Sequence, residues 1–109
     1  MNRGAVVTVA AGGGYGGKPR PAVIVQDSRF HTTASATLCL FTTTEVEAPT
    51  FRLRIEPDAS NGLRQPCFIM ADKITTVPRS KINDVVGQLS PDDIARLDRA
   101  LMVFLGLAG

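Results

Sequence analysis

The chain has 109 residues, 44% of them hydrophobic and 20% charged, which fits one soluble globular domain over residues 1–109 and argues against a disordered tail. A net charge of +2 is too small to imply a polyanionic partner by itself. No apolar run approaches the ~20 residues that span a bilayer, and Met1-Asn2-Arg3-Gly4 leads straight into a strand pattern, so neither a membrane segment nor a signal peptide is expected and a cytoplasmic location is predicted.

In chain order, Ala5-Val6-Val7-Thr8-Val9 reads as a first strand, closed by the Gly-rich run Gly12-Gly13-Gly14-Tyr15-Gly16-Gly17. Ala22 to Gln26 is a nearly continuous apolar strand, expected to be buried on both faces. A polar connection, Asp27 to Thr33, leads to a β-branched and aromatic strand from Ala36 to Thr44. Phe51-Arg52-Leu53-Arg54-Ile55 alternates strictly, as a strand with one wet, basic face does. Glu56 to Gly62 is a turn cluster, and Cys67-Phe68-Ile69-Met70-Ala71 and Ile74-Thr75-Thr76-Val77 read as two further strands.

Only the end of the chain is helical. Ser90-Pro91-Asp92-Asp93 supplies an N-cap, Pro at the first helical position and acids in the first turn. Ile94, Leu97, Leu101, Phe104 and Leu105 follow at helical spacing, and Gly106 is the expected stop. From Ala100 to Leu107 the segment is apolar all round, which predicts cover from two sides and hence a subunit interface. Five to seven short strands with one C-terminal α-helix make a mainly β, mostly antiparallel small barrel.

The inventory of reactive groups narrows the chemistry. His31 is the only histidine, so a two-histidine acid–base ribonuclease is impossible within one chain. No His, Asp or Glu cluster has ligand spacing, and Cys39 and Cys67 lie outside any CxxC, so no metal and no cofactor are expected. Packed reduced thiols are the favoured reading of the two cysteines, with a disulfide the alternative. Asp92-Asp93 is explained by the helix dipole. Gly12-x-Gly14-x-x-Gly17 fits a dinucleotide fingerprint in letters alone, since no helix follows it.

What remains is Lys18-Pro19-Arg20-Pro21 ahead of Ala22-Val23-Ile24-Val25. Each Pro fixes its own φ and extends the residue before it, so Arg20 is restrained at the mouth of a buried strand beside a Gly-rich loop. A guanidinium so held is suited to phosphate. A solvent-exposed salt bridge, worth ~0–1 kcal/mol, hardly calls for two flanking prolines. Thr42-Thr43-Thr44 ends another strand, where threonines are also ordinary strand composition. Tyr15 is either a stacking platform for a base or a surface aromatic, whereas His31 reads as a solvated loop residue. Charge is uneven: residues 1–81 carry ten Lys/Arg and six Asp/Glu, residues 82–109 two Arg and four Asp.

The succession Arg3-Gly4-x-Val6-Val7-x-Val9, Gly17-Lys18-Pro19-Arg20-Pro21-Ala22-Val23-Ile24-Val25-Gln26, Leu40-Phe41-Thr42, Ala71-Asp72-Lys73-Ile74-Thr75-Thr76-Val77, Gly87-Gln88-Leu89-Ser90 and Ala100-Leu101-x-x-Phe104-Leu105-Gly106-Leu107 resembles the MazF/PemK toxins of bacterial toxin–antitoxin pairs. The resemblance covers essentially the whole chain in order. It implies an SH3-like barrel, a homodimer, a cognate antitoxin, and metal-independent, sequence-selective cleavage of single-stranded RNA, including mRNA. It places the catalytic pair on Arg20 and Thr42, with a neighbouring Thr left open as the hydroxyl. It places RNA contacts on Tyr15, Gly17, Lys18, Thr43, Asp72 and Lys73. The chain departs from the family in its Gly-rich first loop, which lacks the Glu often found there, and in Pro19 before the Arg; the preferred RNA sequence is thereby left open. The rival on the same barrel is a non-enzymatic toxin that binds a protein such as DNA gyrase. Those toxins end in Trp-Gly-Ile, whereas this chain has no Trp and ends Leu107-Ala108-Gly109.

Overall fold

Six strands and a helix are arranged as β1 (Ala5–Val9), β2 (Arg20–Ile24), β3 (Ser35–Thr42), β4 (Arg52–Ile55), β5 (Cys67–Pro78), β6 (Ile82–Gln88) and α1 (Pro91–Phe104). The structure, a computed structural model, describes residues 1–10, 19–47 and 50–108. All pairings are antiparallel and the strand order is β4-β5-β3-β2-β1-β6. β4 and β6 are edges, so pairing does not close the sheet. Principal extents of 35 × 30 × 29 Å nevertheless mark a sheet curled around its core, as the barrel expectation required.

Three elements differ from the sequence reading. β2 begins at Arg20, because Val9 pairs with Arg20 and Thr8 with Pro21. Pairing to β3 starts only at Ala22, which leaves an edge-like segment where Pro is tolerated. The two runs after the turn form one twelve-residue strand, β5. Its register against β3 shifts between Phe41↔Ile69 and Cys39↔Ile74, so Leu40 alone faces Met70, Ala71, Asp72 and Lys73. A wide bulge of this kind bends the strand and re-aims its side chains. β6, Ile82-Asn83-Asp84-Val85-Val86-Gly87-Gln88, is the strand the composition does not announce; pairing with β1 holds it at the sheet edge.

The helix behaves as its termini dictate. Ser90 Oγ accepts from the Asp93 N–H at 3.1 Å. At the other end Gly106 adopts φ +76°, while the Leu107 N–H donates to Met102 O at 2.7 Å and the Gly106 N–H to Val103 O at 3.1 Å, the paired bonds of a left-handed stop. α1 lies across β4 and β5 and buries Leu97, Ala100 and Leu101 against Val6, Val23, Phe41 and Ile69. The opposite sheet face buries Val7, Ala22, Ile24 and Leu38. This two-sided burial explains the continuous apolar run of β2. Beyond Leu101 the apolar side chains emerge: Phe104 is 46%, Leu105 53% and Leu107 73% exposed.

The β4–β5 connection hangs on Asn61, the one buried polar side chain among the described residues. Its Nδ2 donates to Glu56 O at 2.8 Å, and its Oδ1 accepts from the N–H groups of Asp58 and Leu63 at 3.2 and 3.0 Å. Gly62 and Gly87 let this turn touch β6. A Cβ on Gly62 would sit 2.3 Å from Val86 O, and one on Gly87 2.3 Å from the Asn61 carbonyl carbon. Asn61→Ala leaves three main-chain groups of a part-buried turn without their partner and should cost about 1–3 kcal/mol. Urea denaturation checks this; a loss below ~1 kcal/mol would show that the turn is held by other means.

Candidate active site

Strand register builds the site. β2 and β3 pair through Ala22↔Leu40, and continuing that register by two residues sets Arg20 across from Thr42. Alternation keeps Arg20, Ala22, Leu40 and Thr42 on one sheet face. The bulge in β5 brings Met70 and Lys73 to the same place. Arg20, Leu40, Thr42, Met70 and Lys73 line a pocket of about 230 Å³. Two cations and a hydroxyl thus border an apolar wall made by Leu40 and Met70. A lining of that charge and shape can accommodate a phosphate group, with room beside it for a flat, apolar surface.

The three threonines are not equivalent. Thr42 is half-buried in the pocket, and its Oγ1 accepts from the Thr44 N–H at 3.1 Å. That local turn fixes the hydroxyl oxygen and leaves its proton available for donation outward. Thr43 lines a separate groove on the other side of the strand. Thr44 supplies only the backbone N–H that orients Thr42.

Asp72 and Lys73, adjacent in sequence, are divided by the strand. Lys73 is exposed at the pocket, whereas the Asp72 carboxylate receives Arg52 Nε at 2.6 Å and Nη2 at 3.0 Å. This fork is largely shielded, with the two side chains 12% and 18% exposed. The Arg52 hydrogen bonds hold the Asp72 pKa below its ordinary value of 3.8, against the opposing effect of burial. The wet face of the Phe51–Ile55 run therefore carries two different arginines: Arg52 clamps the bulge, and Arg54 is exposed and pairs with Glu56 at 2.6 Å. Leu40, Met70 and Arg52 are the members of this site that the sequence reading did not single out. The signal for Arg52 was the opposite charge at Asp72, which only strand pairing brings within reach. Tyr15, Gly17 and Lys18 lie outside the described residues.

Cys39 and Cys67 are free and buried. Burial pushes the Cys39 thiol up to about 11, with the nearby Asp72 charge adding to it, and burial raises Cys67 as well. Thiols so placed are poor nucleophiles near neutral pH. His31 is exposed on its loop, with Nδ1 3.1 Å from Ser28 O. Among the described residues no three His, Cys, Asp or Glu side chains converge as ligands would, and no helix is long and apolar enough to cross a membrane.

Residues 2–105 match the family described as PemK-like, MazF-like toxin of type II toxin–antitoxin system. The chain belongs to that family. This MazF-like chain is 53% identical over 109 residues, 100% of both proteins, to the "Probable endoribonuclease MazF" of Mycolicibacterium smegmatis. It is 29% identical over 94 residues to "Endoribonuclease MazF4" of Mycobacterium tuberculosis, covering 86% of this chain and 84% of the relative. Among solved structures, a mycobacterial endoribonuclease in complex with its cognate antitoxin superposes with a TM-score of 0.78 at 28% identity, over 100% of this chain and 98% of that one. The Mycobacterium tuberculosis toxin MazF-mt6 matches with a TM-score of 0.81 over 96% of this chain and 99% of its own; at 22% identity that likeness concerns the fold. The gyrase-binding alternative finds no support in these matches.

The Arg52–Asp72 clamp generates a pH-dependent prediction. Because the folded-state pKa of Asp72 is depressed, its contribution is complete above 3.8 and disappears as pH falls through the lower folded value. Asp72→Asn should therefore destabilise by about 1–3 kcal/mol at pH 7 and by less at pH 3, below the ordinary carboxylate value. Urea titrations at the two pH values test it, and an equal loss at both would refute the ionic role.

Proposed function

We propose that this MazF-like toxin, an endoribonuclease by family, cuts single-stranded RNA, mRNA included, sequence-selectively and without a metal, through the pocket that holds Arg20, Thr42 and Lys73. The observation that carries the reading is the convergence of these three side chains from β2, β3 and β5. In the reaction a ribose 2′-OH attacks the adjacent phosphate, the P–O5′ bond breaks, and the products are a 2′,3′-cyclic phosphate and a 5′-OH. The nucleophile belongs to the substrate, so the quiet thiols and the remote His31 are no obstacle. What the protein must supply is alignment and stabilisation of charge on the phosphate oxygens. Arg20 does the second: its planar fork donates to two oxygens at once, and a guanidinium, which holds its proton in proteins, suits an electrostatic role better than that of a base. Thr42, its oxygen fixed by the Thr44 N–H, donates its proton to a phosphate oxygen or orients the 2′-OH. Lys73 adds positive charge at the rim. Asp72, committed to Arg52, serves by holding the strand that presents Lys73.

Tyr15, Gly17 and Lys18 precede the Arg20 elbow and are assigned to the bound RNA by the family resemblance. The exposed apolar end of α1, with Phe104, Leu105 and Leu107, supports a homodimer covering that surface, as the all-round apolar pattern requires. A cognate antitoxin is the second partner, in keeping with the mycobacterial complex of the same fold. The site of action is the cytoplasm, where mRNA is found.

Purified protein should cut a mixed single-stranded RNA in excess EDTA, leaving 2′,3′-cyclic phosphate and 5′-OH ends, and should leave single-stranded DNA intact for want of the 2′-OH. Arg20→Ala should lower kcat by roughly 10²–10³, the loss expected when one preorganised charge-stabilising group is removed. Thr42→Val should lower it by less, and Thr43→Val and Thr44→Val by little. Cleavage that persists at full rate in Arg20→Ala, or that EDTA abolishes, would defeat the mechanism.

A further inference from the structure

The elbow that presents Arg20 has a second side. Alternation along β2 sends Arg20 to one face and the rings of Pro19 and Pro21 to the other, just as Thr42 and Thr43 part company at the end of β3. On that other side lies a groove of about 560 Å³, walled by Pro19, Pro21, Thr43, Leu63, Arg64 and Gln65. Only the width of one extended chain separates it from the Arg20 pocket. We infer that this groove is a nucleotide subsite, taking a base that adjoins the cleaved step and reading it through Gln65 and Arg64. The inference rests on the endoribonuclease reading above and extends the same site.

Three observations support it. The groove backs onto the phosphate cradle: Pro19 and Pro21 line the one and Arg20 the other, so an RNA strand held at its phosphate by Arg20 has the groove one chain width away. Its lining suits a base: proline rings and Leu63 offer apolar surface to the ring faces, and the Gln65 amide, Arg64 guanidinium and Thr43 hydroxyl offer donors and acceptors to its edge. The volume is within the range of small-molecule sites. Finally, the wall that carries Arg64 and Gln65 is built in advance. The Asn61 hydrogen bonds, the seating of Gly62 against Val86 O and the Cys67 Sγ contact to Gln65 O at 3.3 Å hold the turn on β6 before any ligand arrives. Arg64 and Gln65 themselves are exposed, and no hydrogen bond from either side chain is part of that clamp. A rigid wall bearing an amide and a guanidinium discriminates between base edges at small entropic cost.

The test is cleavage of a randomised single-stranded RNA pool by the unsubstituted protein, Gln65→Ala and Arg64→Ala, with cut sites mapped by sequencing. It is paired with equilibrium binding of an RNA that carries a 2′-deoxyribose at the cut. Both exposed substitutions should leave folding intact. Gln65→Ala should erase the preference at one position beside the cut, and each variant should raise KM and the Kd of the uncleavable RNA about tenfold, the loss of a good base-edge contact. An unchanged cleavage motif with unchanged Kd in both variants overturns the subsite and leaves the groove to a protein partner. A lack of cleavage by the unsubstituted protein is a different result: it defeats the endoribonuclease mechanism itself, and the subsite with it.

Discussion

The bulge in β5 is the constraint on which the rest of the molecule depends. A sheet of six strands in which Leu40 faces four residues of its neighbour cannot stay flat. The surplus main chain bends β5, so that Cys67–Met70 pairs with β4 under the helix while Ile74–Pro78 continues along β3. The same bend turns Met70 and Lys73 toward the ends of β2 and β3. Curvature and pocket are therefore one geometrical fact. A flat ladder would have left Lys73 in register with β3 and away from Arg20.

A bulge leaves main-chain groups without ladder partners and needs support. Here β4 and the residue before it supply that support: the Ala71 N–H donates to Phe51 O at 3.0 Å, and Arg52 clamps Asp72 from the adjoining position. A shielded, bidentate pair of this kind is a modest source of net stability, because desolvation offsets much of the attraction. Its value lies in geometry, since removing one partner leaves the other charge half-buried and the bulge unbraced. Asn61 does the equivalent for the turn at the other end of β4. Both devices use polar side chains at places where apolar packing would hold the chain less specifically.

The chemistry then follows from what the pocket contains. In the proposed reaction, positive charge and an oriented hydroxyl stabilise a phosphate on its way to a five-coordinate transition state, while the substrate brings its own nucleophile. Activity in such a pocket should depend more on alignment than on a matched acid and base. The elbow adds a further economy of structure: by alternation, the residues flanking Arg20 face a groove able to hold the neighbouring base.

Much of this was written in the chain itself. Local rules placed the helix from Ser90 and Pro91 to Gly106, the restrained Arg20 between two prolines, and most strands, because caps, proline and period-two alternation act over a few residues. The collinear motifs supplied the family. Tertiary structure decided what local rules cannot: that Ile82–Gln88 pairs as an edge strand, that two apolar runs form one bent β5, and that Asp72 meets Arg52 while Lys73 shares a pocket with Arg20. Those outcomes depend on register between segments from 20 to more than 80 residues apart, and a shift of one residue sends every side chain to the opposite face. The sequence determined which groups are available; the pairing of strands alone decided which of them share a pocket.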